Sequence, residues 1–138
     1  MQFRRRSSVK KAAVLSAPIG CGIDVVELSR FRQAMVRGGQ QFMRRVFTKK
    51  EEAYSKARKR TVLLHLAGRF AAKEAVIKAI AQIDPKRTLA MNQVEVCNDP
   101  LGRPSIVLHD RSRKRLAIHI SLSHVQSVAV ASAIAIKR

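Results

Sequence analysis

From Ile19 to Val26 the chain alternates with a two-residue period: Ile19, Cys21, Ile23 and Val25 on one side, Gly20, Gly22, Asp24 and Val26 on the other. This is the signature of a β-strand. Asp24 thereby shares a face with two glycines, which leave room for something to approach the backbone closely. Glu27 to Val36 then reads as a helix that Gly38 and Gly39 end. A further helix is expected to start near Thr48, whose side chain can cap the run TKKEEAYSKARK with Glu51 as the capping-box acid.

The longest helical pattern runs from about Thr61 to Gln82 and stops before Asp84-Pro85. On a wheel of 100° per residue, Leu63, Ala67, Phe70, Ala71, Ile77, Lys78 and Ala81 fall within about 60° of Glu74. That places Glu74 in the middle of the apolar face. A carboxylate there needs a partner or a metal, because burying it alone costs several kcal/mol. Beyond Pro85 the period returns to two, predicting strands at Gln93–Cys97, Ser105–Leu108, Leu116–Leu122 and Val128–Ile136 as an antiparallel set. The first two are joined by the turn-rich segment Asn98 to Pro104. The expected class is α+β, a small antiparallel sheet packed with a long central helix.

Length and composition bound this picture. A chain of 138 residues with 46% hydrophobic residues can bury one core, so residues 18–138 are read as one domain behind a basic extension, 1–17, expected to be disordered. That opening stretch is too short in apolar residues to span a membrane. Cys21 and Cys97 are too few, and too deep in apolar strand-like runs, to make a disulfide framework or a thiolate metal site, which fits a cytoplasmic setting. The formal charge of +19, from 28 Lys and Arg against 9 Asp and Glu, points to an acidic partner attracted over roughly 8 Å at physiological salt.

Several groups carry candidate chemistry. Asp24 and Glu74 are two hard oxygen ligands, few enough to leave a magnesium ion open to water and phosphate, or else they serve in capping and ion pairing. Lys78, one turn after Glu74, can pair with that carboxylate or stabilise a phosphate oxygen. Arg69 and Lys73 point elsewhere on the wheel and rank below it. His119, Ser121 and Ser123 form the polar face of the penultimate strand, with His124 at its end, and suit phosphate contacts or a polar edge better than a nucleophilic triad. A Walker A loop, a GxGxxG turn and a CxxC pair are all missing. The charge alone also admits a basic nucleic-acid-binding protein without catalysis, but five Phe, one Tyr and no Trp give little for base stacking.

Three segments, GIDVVELSRF from Gly22, AGRFAAKEAVIKAI from Ala67 and ISLSHVQSVAVA from Ile120, together resemble the small bacterial holo-acyl-carrier-protein synthases, a branch of the phosphopantetheinyl transferases. With FMRRVFTKKE and the Gly102–Pro104 turn, the resemblance covers nearly all the chain from Ile19 onward. It implies that Asp24 and Glu74 bind Mg2+, and that coenzyme A places its pyrophosphate on the metal. The serine of an acidic apo-acyl carrier protein would then attack the β-phosphate. It further implies that Lys78 contacts phosphate and that Ser123 and His124 hold the nucleotide end, while the excess positive charge makes Arg30, Arg37 and Arg44 candidates for docking the acidic carrier. A water on the metal, Asp24 or Glu27 would accept the serine proton. Homotrimeric assembly with active sites between subunits, a place in fatty acid biosynthesis and a cytoplasmic location also follow from it, with neither membrane nor nucleic acid as partner.

Overall fold

The computed structural model describes residues 17–112 and 114–138. The expected extension therefore lies outside the described residues, except for Ala17, as does Arg113 of the basic run before β4. The elements are β1 (Ile19–Glu27), α1 (Leu28–Val46), α2 (Lys49–Lys56), α3 (Val62–Ile83), β2 (Val94–Asn98), β3 (Pro104–Leu108), β4 (Leu116–His124) and β5 (Val128–Lys137). The helix expected to end at the glycines instead resumes at once. Gly39, at φ 52° and ψ −141°, breaks α1 into two runs, and Gln40 to Val46 winds on to complete it. The second helix starts as expected: Glu51 N–H donates to Thr48 Oγ1 while Thr48 N–H donates to the Glu51 carboxylate.

The strands do not form one antiparallel set. β1, β5 and β4 make a three-stranded antiparallel sheet in that order, and β2 pairs only with β3 in a separate hairpin. Periodicity reports which face of a strand is buried, not which neighbour it takes. The hairpin itself forms as its turn chemistry predicts. Asp99 Oδ1 accepts the N–H groups of Leu101 and Arg103, and Gly102 supplies the positive φ of 79°.

Helix α3 lies across the three-stranded sheet, and small residues let it lie close. Ala129, Ala131, Ala133 and Ala135 of β5 are all buried beneath it. A Cβ on Gly22 would overlap the carbonyl oxygen of Ala75, and one on Gly20 that of Ala79. What the two glycines of β1 allow to approach the backbone beside Asp24 is thus a helix. The opposite face of the sheet is apolar and uncovered, with Ile19 63%, Ile23 62%, Val25 61% and Ile134 46% exposed.

One polar knot holds α1, α2, α3 and β2 together. Lys73, fully buried on α3, pairs with the buried Glu51 of α2 and donates to the carbonyl oxygens of Val46 and Met91. Glu51 also accepts the Val96 N–H at 2.8 Å. Burial is the largest influence on the Lys73 ammonium and lowers its pKa, with Glu51 acting against it.

Candidate active site

Asp24 sits on the helix-facing side of β1, four residues before α1 begins, and Glu74 near the middle of α3. The close crossing permitted by Gly20 and Gly22 brings the two carboxylates to one cavity of about 430 Å³, which Glu27, Arg30, Phe31 and Phe70 also line. Burial first, and then the charge of Asp24, push the Glu74 carboxyl above its usual range, with Lys78 partly offsetting them. Two carboxylates that repel one another at the mouth of a cavity are a donor set that a divalent cation would relieve.

The surroundings of Glu74 differ from the helical-wheel expectation. Glu74 is half-buried on the most open stripe of α3, next to exposed Lys78 and Ala81, whereas Ala71, Ala72, Lys73, Ala75, Val76 and Ala79 are buried. The wheel locates apolar residues, but α3 is apolar nearly all round and is covered on its other sides by the sheet and the β2–β3 hairpin. Lys78 does not pair with Glu74. Its ammonium donates to Asp24 Oδ1 and to the Ile23 carbonyl, each at 3.0 Å, and its side chain stays 51% exposed, free to be drawn to another anion.

Ser123 and His124 do not join this group within one chain. They line a second cavity of about 320 Å³ together with Tyr54, His65, Arg69 and Asn98. Gly68, which also lines it, is about 120° around α3 from Glu74. Sequence reasoning missed this cavity's walls. Arg69, ranked low for pointing away from Glu74, is 5% exposed, stacks 3.8 Å from the Tyr54 ring centroid and donates to Asn98 Oδ1 at 2.9 Å. Its buried Nε has no partner among the described residues. Burial, then the charges of Arg69, Arg58 and His124, lower the pKa of His65, marking the region as electropositive. The available signal was an arginine set between Gly68 and Phe70 in the mainly apolar first half of α3. The supposed docking arginines Arg30, Arg37 and Arg44 are all exposed along α1. Among them Arg30 alone lines the carboxylate cavity. His119 and Ser121 alternate outward on β4 as expected.

Residues 20–133 match the 4'-phosphopantetheinyl transferase superfamily. The chain is 39% identical over 119 residues to a holo-[acyl-carrier-protein] synthase of Protochlamydia amoebophila, covering 84% of this chain and 96% of that protein. Among solved structures, a holo-(acyl-carrier-protein) synthase of Bacillus anthracis in complex with CoA (3',5'-ADP) is 33% identical, with a TM-score of 0.70 over 86% of this chain and 96% of that one. The Chronobacterium ammoniagenes ACPS-CoA complex is 27% identical, with a TM-score of 0.76 over 88% and 98%.

Proposed function

The chain belongs to the 4'-phosphopantetheinyl transferase superfamily and, as a holo-acyl-carrier-protein synthase, transfers 4'-phosphopantetheine from coenzyme A to a serine of an apo-acyl carrier protein; we propose that a magnesium ion held by Asp24 and Glu74 serves this transfer. The observation that carries the magnesium reading is the shared cavity of Asp24 and Glu74, whose mutual repulsion leaves a cation as the natural third party. Magnesium, when bound, acts as a Lewis acid that neutralises charge on the pyrophosphate oxygens. With a cation bound at Asp24, Lys78 would be free to leave that ion pair and hold a phosphate oxygen in place. The products are holo-carrier protein and adenosine 3',5'-bisphosphate.

The nucleotide end of coenzyme A belongs in the electropositive cavity of Ser123 and His124, where Arg69, anchored by Tyr54 and Asn98, stiffens the wall. This cavity and the carboxylates lie on different faces of α3, an arrangement in which one subunit would supply the carboxylates and its neighbour the nucleotide cavity. A homotrimer formed through the uncovered apolar face of β1 and β5 allows that arrangement and covers Ile19, Ile23, Val25 and Ile134. The carrier docks on the exposed arginines of α1, Arg30, Arg37 and Arg44, through electrostatic steering that weakens with salt. A role in fatty acid biosynthesis in the cytoplasm accords with this chemistry. None of the described helices is long and apolar enough to cross a membrane.

The test is to incubate the protein with coenzyme A, magnesium and an apo-carrier protein and to weigh the carrier. A phosphopantetheine adduct is expected, and its loss in Asp24→Ala and Glu74→Ala with folding preserved. Full activity in either variant would sink the metal assignment.

A further inference from the structure

Glu27 is the last residue of β1 and stands where the chain turns into α1. It is exposed and lines the carboxylate cavity between Asp24, Arg30 and Glu74. A structural duty does not account for it. As the residue before α1 it makes no side-chain cap hydrogen bond, and Glu is a poor choice for that position. Among the described residues its carboxylate forms no ion pair.

We propose that Glu27 is the catalytic base that takes the proton from the attacking serine of the carrier protein. This inference rests on the transferase reading. The charged groups around it decide the choice. Asp24 and Glu74 line the same cavity and are the two carboxylates that would hold a bound magnesium ion. As metal ligands both would be engaged, whereas the Glu27 carboxylate has no ion-pair partner among the described residues. Arg30, one helical turn after Glu27, lies on the docking face of α1, so a carrier helix held there presents its serine across Glu27 to the phosphate. In the step, the serine Oγ–H proton passes to a Glu27 carboxylate oxygen while the Oγ–P bond forms at the β-phosphorus. The bond from that phosphorus to the bridging oxygen breaks, and adenosine 3',5'-bisphosphate leaves with the electron pair.

The experiment compares the whole protein with Glu27→Gln and Glu27→Asp, measuring kcat and KM for apo-carrier and coenzyme A. Calorimetric binding of each substrate is measured alongside. A positioned general base contributes about 100-fold or more to the rate. Glu27→Gln is therefore expected to lower kcat by about that factor, with both KM values and both binding constants within about twofold of wild type. Glu27→Asp is expected to recover part of the loss. A Glu27→Gln variant keeping more than half of the wild-type kcat overturns the proposal. So does a loss confined to carrier KM or carrier binding, which would make Glu27 a docking residue. If the wild-type protein itself modifies no carrier, the transferase reading fails and the proposal falls with it.

Discussion

Replacing Lys73 with methionine is expected to destabilise the protein by about 3–5 kcal/mol, the usual cost of removing one partner from a buried ion pair. The structure supplies the reasons. Lys73 is fully buried and Glu51 is 1% exposed, so the variant leaves a carboxylate in the core with only the N–H groups of Thr48 and Val96 to solvate it. It also strips the donor from the carbonyl oxygens of Val46 and Met91. For a chain of this size such a loss lowers the unfolding midpoint by roughly 10–20 °C. The assay is thermal unfolding at fixed protein concentration, because assembly into an oligomer would itself raise the midpoint. The double variant Glu51→Gln, Lys73→Met removes the stranded charge and is expected to fall short of the summed single losses. A single-variant loss under about 1 kcal/mol, or strict additivity, would refute the view that this pair ties α1, α2, α3 and β2 together.

Glu74→Gln is expected to stabilise the metal-free protein above the ordinary carboxylate range. The folded-state pKa of Glu74 is raised, so its penalty is absent below the unfolded value of 4.5, grows as pH rises from there to the folded value and is complete above it. Unfolding midpoints of variant and wild type should thus converge in acid and separate towards neutral pH, and magnesium should close the gap by raising only the wild type. Gly22→Ala should cost more than 1 kcal/mol in denaturant unfolding and depress transfer as well, since the new methyl displaces α3, and with it Glu74, from Asp24. Ile23→Lys, on the uncovered sheet face, should convert the proposed trimer to monomer by light scattering and abolish transfer. A wild-type monomer that is fully active would remove the need for a second subunit.

Much of this protein follows from local chemistry and is legible in the chain. Alternation identified β1 and the four later strands, Thr48 and Glu51 marked the start of α2, and Asp84-Pro85 ended α3 where the helix stops. The GID and KEA segments, taken with the family resemblance, singled out Asp24 and Glu74. Residues fifty positions apart meet only through packing, and no local pattern reports packing. The fold decided that Gly20 and Gly22 admit a helix, that Lys78 pairs with Asp24, and that Lys73 is a buried tie. It also set β2 and β3 apart from the sheet and placed Arg69 in a cavity with His124. The physical reason is the same in each case. Periodicity records which positions avoid water, whereas partner, register and depth depend on which other surface arrives to cover them.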